Sequence, residues 1–152
     1  MKSIVDRIIS GGQTGVDRAG LDAAMEAGIP AGGYCPEGRL AEDGVIPAKY
    51  PLTELASGGY PARTEKNVAE ADATLILNVG ELSDGTRYTV DCALTYGKPC
   101  LVVQLDSDPE PDTVRRWLTE HSVRILNIAG PRETKYTGIY DMAYLFLRRL
   151  FP

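Results

Sequence analysis

The stretch Ile9-Ser10-Gly11-Gly12-Gln13-Thr14-Gly15-Val16-Asp17-Arg18-Ala19 decides the fold. An apolar run from Ile4 to Ser10 reads as a strand and stops at two glycines, and a helical pattern starts at Val16. Strand, glycine-bearing turn and helix form the opening of a βαβ unit, the building block of a parallel sheet covered by helices. The helix runs from Val16 to Ala27, where Val16, Ala19, Gly20, Ala23, Ala24 and Ala27 recur at three- and four-residue steps. These small residues give a slim face that can lie close against a sheet. Gly28 is the expected stop, with Pro30 just beyond it.

Outward from this unit the alternation continues. A short second strand is expected over Ala31 to Cys35, a helix over Arg63 to Ala71 and a buried strand over Ala73 to Val79. Thr86 to Tyr96 fits a helix closed by Gly97, and Pro99 to Leu105 a further strand. Asp106 to Asp112, with four acids and two prolines, reads as a solvated turn. Val114 to His121 reads as a helix, Val123 to Ile128 as a strand, and Gly138 to Phe151 as an amphipathic helix with Ile139, Met142, Ala143, Phe146 and Leu150 on its apolar face. The expected fold is α/β: one three-layer Rossmann-like domain over residues 1–152, with a mainly parallel sheet and helices on both faces. Pro36 to Pro61 breaks the rhythm, with four prolines, four glycines and no clear period. Its Leu40, Val45, Ile46, Tyr50, Leu52, Leu55 and Tyr60 predict an ordered, packed excursion, and a loop this long in a compact domain points to function.

The chain has 152 residues, with 16 Lys+Arg against 21 Asp+Glu and a net charge of −5. That balance argues against a nucleic-acid track, which needs Lys and Arg in excess. One small phosphate ester on backbone amides stays compatible with it. The three cysteines, Cys35, Cys92 and Cys100, and the single His121 form no metal-ligand spacing, so no protein-ligated metal is expected. Charges break the N-terminal apolar run too early for a signal peptide, and no stretch reaches membrane-spanning length. A cytoplasmic protein without a membrane partner is expected.

Open α/β sheets bind ligands beyond the carboxyl ends of their strands. Gly11, Gly12, Gln13, Thr14 and Gly15 form a turn whose amides could attract an anion at the helix start, with Asp17 as an N-cap or first-turn acid. The turn has neither the P-loop lysine nor a GxGxxG pattern. Asp84, Gly85 and Thr86 offer a second such turn after the Ala73–Val79 strand. Arg63 is a bidentate donor for phosphate or carboxylate. Glu37 could accept from a ribose or a base amine, and Arg39 could pair with a phosphate; both also suit plain surface charge. His121 reads as a helix-end charge, and Trp117, Met142, Tyr136, Tyr140 and Tyr144 as packing residues.

The first turn, together with Cys35-Pro36-Glu37-Gly38-Arg39, Ala41-Glu42-Asp43-Gly44, Tyr50-Pro51-Leu52, Arg63-Thr64-Glu65, Asn67-Val68, Asp72-Ala73-Thr74-Leu75 and Gly130-Pro131-Arg132-Glu133, resembles the bacterial molybdenum carrier family over nearly the whole chain. That family is similar to a broader Rossmann-like superfamily containing the lysine-decarboxylase-like phosphoribohydrolases. The resemblance implies a carrier for molybdenum cofactor (molybdopterin), or a binder of a nucleotide, with a homodimer or higher homo-oligomer as its assembly. In the phosphoribohydrolases an arginine stands nine residues before the Asp of an Ala-Asp-Ala strand entry, as Arg63 does before Asp72. Their Pro-Gly-Gly-x-Gly-Thr turn keeps only its end here, Gly85-Thr86, and the glutamate after the threonine is absent. The resemblance therefore implies retained binding and lost N-glycosidic chemistry, with Arg63, Glu37 and Asp91 as the catalytic candidates of the alternative, a nucleoside 5′-monophosphate phosphoribohydrolase.

Overall fold

The structure, a computed structural model, describes residues 3–152. Strand β1 is Arg7–Ile9 and helix α1 Val16–Glu26, followed by β2 Ala31–Gly32 and β3 Tyr34–Pro36. The excursion carries β4 Leu40–Ala41, β5 Gly44–Val45 and β6 Thr53–Leu55, and ends in α2 Gly59–Glu70. Then come β7 Ala73–Asn78, α3 Asp84–Thr95, β8 Cys100–Gln104, α4 Pro111–Glu120, β9 Ile125–Ala129 and α5 Ile139–Leu150.

The main sheet has five strands in the order β2-β1-β9-β7-β8, every neighbouring pair parallel. The last strand in sequence is thus the middle strand in space. Placing the β9–α5 unit first in the count turns the order into 3-2-1-4-5, that of the Rossmann sheet, with its switch point between β9 and β7. The expected three layers follow from strand alternation. Ile8, Leu75, Leu77, Leu126 and Ile128 pack with Ala19 and Ala23 of α1, Leu118 of α4 and Ala143 and Leu147 of α5 in one core. A smaller cluster of Val68, Cys92 and Ala93 joins α2 and α3 elsewhere.

Element boundaries moved where tertiary structure overrode pattern. The first strand starts only at Arg7, and the expected Ala31–Cys35 strand splits between two sheets. The split falls at Gly33, whose φ is 124° and where a Cβ would lie 2.1 Å from the Ser10 carbonyl. Only glycine lets the chain leave the main sheet so close to β1. Beyond it β3 pairs in parallel with β6, and β4 with β5 as a hairpin. Leu21, Cys35, Ala41, Ile46 and Tyr50 form a core for the excursion, which is therefore packed as expected. Arg39 ties it together by donating to the carbonyls of Ile46, Pro47, Tyr50 and Leu52 at 2.8–3.4 Å. Helix α2 begins four residues before Arg63, since Pro61 sits in a first turn that tolerates it. Among the described residues no helix is long and apolar enough to cross a membrane.

Candidate functional site

A cavity of about 460 Å³ opens at the carboxyl edge of the sheet. Its walls are the turn after β1, the end of β9 with the turn after it, the start of α3 and one side of α2 from Tyr60 to Asn67. This is the switch point between β9 and β7, where crossovers part to opposite faces and leave a crevice. Ten polar or charged residues are buried among the described residues, and seven of them line this cavity: Gln13, Asp17, Arg63, Asn67, Thr86, Thr89 and Asn127. Burying polar groups is costly unless each has a partner, so their concentration in one place marks it as functional.

Asp17 and Arg63 are the two buried charges among the described residues, 7% and 8% exposed. Arg63 Nη1 donates to the Gly11 carbonyl at 2.7 Å and stands 3.7 Å from Asp17 Oδ2. A Cβ on Gly11 would lie 2.0 Å from that guanidinium, so glycine here is what admits the arginine. Tyr60 covers the guanidinium with its ring, the centroid 5.2 Å away. Burial pushes the Asp17 carboxyl up to about 6, against the pull of Arg63, the N–H groups of Gln13 and Gly11, and Arg18.

The amides of the first turn are largely engaged within the protein. Gly12 N–H reaches Ser10 Oγ at 3.3 Å, Gln13 N–H the Asp17 carboxylate at 3.2 Å, Thr14 N–H Gln13 Oε1 at 3.0 Å and Val16 N–H the Pro131 carbonyl at 3.2 Å. The Asp17 carboxylate thus occupies the nest itself. Of the five residues expected there, Gly11 and Gln13 line the cavity, while Gly12, Thr14 and Gly15 do not. Gly12 faces Ile46 and Leu52, and Gly15 faces Pro131 and Arg132.

The second turn differs. Asp84, Gly85 and Thr86 all line the cavity. The N-cap, Ser83, makes no side-chain cap, its hydroxyl meeting Thr86 Oγ1 at 3.2 Å instead. First-turn amides without such a cap are donors for an anion. Glu37 and Asp91 are exposed and stand outside the cavity, and Arg39 is committed to the excursion.

The end of β9 and the turn after it supply cavity residues that the reading of glycine turns passed over, Arg132 having stood only in a stretch quoted for the resemblance. Asn127 is 3% exposed and sits between Ile9 and Thr74 in the sheet register. Its Nδ2 donates to Thr74 Oγ1 at 3.3 Å, leaving Oδ1 as an acceptor without a hydrogen bond. Arg132 and Lys135 line the same cavity. Glu42, at the tip of the β4–β5 hairpin, accepts from the hydroxyls of Thr14 and Thr134 and lies 3.1 Å from Arg132 Nε. One acidic residue of the excursion therefore clamps the turns after β1 and β9 together. The available signal was Gly130-Pro131 directly after an apolar strand, the same mark that singled out the other two turns.

Chemically the cavity offers amide donors at the start of α3, the Arg63 guanidinium, hydroxyls on Thr86 and Thr89, a lone acceptor on Asn127, and the rings of Tyr60 and Tyr88. None of the three cysteines lines it, nor does His121. Among the described residues no group of three or more His, Cys, Asp or Glu side chains could hold a metal ion.

A family model described as the circularly permutated YpsA SLOG family matches residues 8–151. A crystal structure of a protein from Syntrophus aciditrophicus SB, titled "Putative molybdenum carrier protein", is 44% identical, superposes with a TM-score of 0.92, and is matched over 99% of this chain and 97% of that one. No curated protein matches the chain.

Proposed function

The chain belongs to the circularly permutated YpsA SLOG family, and from that premise we propose that it is a binding or carrier protein for a small phosphorylated heterocycle, a pterin such as molybdenum cofactor or a nucleotide. The observation that carries the reading is the uncapped start of α3 facing a buried arginine across one cavity. The phosphate lies against Gly85 and Thr86 with Arg63 as counter-charge, and Gly11 and Gln13 form the floor. Tyr60 and Tyr88 flank the flat ring, and Asn127 Oδ1 accepts from its edge. The residues present fit such a ligand, which Arg63, Gly85 and Thr86 would hold by its phosphate.

The carrier name of the 44% identical relative supports this reading. Denaturing the purified protein and weighing the released small molecules identifies the cargo. A pterin or nucleotide in about stoichiometric amount is expected, and its loss in Arg63→Ala locates it.

One observation favours a second reading, N-glycosidic hydrolysis of a nucleoside monophosphate. Asp17 is a buried carboxylate on the cavity wall with an affinity for protons near neutrality, which suits an acid or base. Release of free base from AMP, lost in Asp17→Asn, would establish it over the carrier reading.

A further inference from the structure

We propose that Arg132 and Lys135 form a second anion position on the cavity wall, so that the ligand carries a second phosphate besides the one held at α3. The proposal deepens the reading above and rests on it for the first phosphate. The charged residues lining the cavity are Asp17, Arg63, Asp84, Arg132 and Lys135. Arg63 already has a counter-ion in Asp17, 3.7 Å away. The two cations beyond β9 are held differently.

Arg132 and Lys135 close one turn, in which the Lys135 N–H donates to the Arg132 carbonyl at 3.0 Å. Such a turn keeps its two end Cα atoms within about 7 Å. Among the described residues Lys135 forms no ion pair, and Arg132 forms one, with Glu42, whose Oε2 lies 3.1 Å from Nε. That Nε is buried without an aligned hydrogen bond. The chain between the two cations is fastened on both sides. Glu133 N–H donates to Thr14 Oγ1 at 3.2 Å and Thr134 N–H to Glu42 at 3.3 Å. The Glu133 carboxylate accepts from the N–H groups of Gly138 and Tyr140 at 2.6 and 3.0 Å. The fold thus holds two like charges side by side, an arrangement that costs energy until an anion joins them. Arginine as a planar fork and lysine as a point charge both suit phosphate oxygens, and a fixed turn spends little on ordering them.

The topology keeps this position apart from the first. Helices α2 and α3, which carry Arg63 and Thr86, pack together on one face of the sheet. The turn after β9 instead leads into α5, which packs with α1 on the other face. The cavity lies at the edge between these layers, and each layer brings cations to it. A ligand that runs from the start of α3 toward this turn meets positive charge at both ends of its path. The second phosphate is either the next one along a diphosphate chain or a separate one on the sugar, since both present the same group to the turn.

Inorganic phosphate tests the position itself, read from amide NMR shifts of Gly85 and Thr86 for the first site and of Glu133 and Thr134 for the second. Both pairs are expected to move, and Lys135→Gln to abolish the response of the second pair. Lys135 is exposed, so its replacement leaves the turn intact. A silent second pair overturns the proposal while the placement at α3 stands. A silent first pair overturns that placement, and the ligand with two phosphates falls with it. Isothermal titration with AMP, ADP and adenosine 3′,5′-bisphosphate then locates the second phosphate. One of the latter two is expected to bind about tenfold tighter than AMP, ADP if the phosphate is on the chain and the bisphosphate if it is on the sugar. Lys135→Gln is expected to remove that gain. Lys49→Gln, which deletes an exposed lysine outside the cavity, is expected to retain it. No gain over AMP, a gain that survives Lys135→Gln, or one lost equally in Lys49→Gln overturns the proposal.

Discussion

Arg63 and Asp17 hold each other in a place where neither charge is stable alone. Replacing Arg63 with Ala leaves a buried carboxylate without its counter-ion, and breaking such a pair costs about 3–5 kcal/mol. Asp17 escapes part of that cost by taking a proton, so Arg63→Ala is expected at the low end in urea unfolding near pH 7, together with loss of the bound cargo. The sign of the pH effect follows from the same carboxyl. Its folded pKa of about 6 lies above its ordinary 3.8, so the folded state holds the proton more tightly. The stability this contributes is full below pH 4 and is lost as the pH rises to 6, by about 3 kcal/mol at most. Wild type minus Asp17→Asn, unfolded in urea across that range, is expected to show this fall; a flat difference contradicts it. Arg63 could be singled out in the sequence because arginine is a recognisable phosphate donor. Asp17 read as an ordinary first-turn acid, since its burial depends on α2 crossing over the first turn, and no local pattern records that crossing.

At the scale of elements, the start of α3 and the β4–β5 hairpin have separable roles. Gly85 lies in the first turn of α3, where proline is tolerated but contributes no N–H. Gly85→Pro is therefore expected to weaken phosphate binding about tenfold, about the value of one charge-assisted hydrogen bond, with thermal stability little changed. Isothermal titration with AMP checks the first part and circular dichroism melting the second. Glu42→Ala removes the acceptor shared by Thr14 and Thr134 and the partner of Arg132. A loss of about 1–3 kcal/mol is expected, with faster amide exchange at Glu133 and Thr134. Helices and long strands were legible because their apolar periods are local. The hairpin and the β3–β6 pair were not, being strands of two or three residues, too short for a period, in an excursion whose connecting loop is held by Arg39. The second glycine turn was found by its residues. The first was found too, but its amides turned out to be satisfied by Asp17 and Gln13, an internal solution that the letters do not reveal.

For the molecule as a whole, the layered α/β class was readable from alternating elements, whereas strand order was not. Nothing in Ile125–Ala129 announces a central strand rather than an edge. That order fixes the switch point, and therefore explains why Asn127 and Lys135 went unnoticed and why Arg132 stood out only through the family resemblance. Val5 and Phe151 both belong to the main core, so a linker between them that leaves both packed is expected to be tolerated. A permutant opened at Ser122 and starting with β9 should keep the fold and bind AMP as the native chain does. Retained folding without binding would show that the turn after β9 depends on the α4 connection.

The central place of β9 also bears on how the molecule is made. Strands β1 and β2 leave the ribosome as one parallel pair and β7 and β8 as another. β1 and β7 meet only through β9, which is synthesised after all four. Until it emerges, each half carries an open, apolar strand edge of the kind that recruits neighbouring chains. A chain stalled before Ile125 should therefore be aggregation-prone, and chaperone demand should last until β9 has emerged.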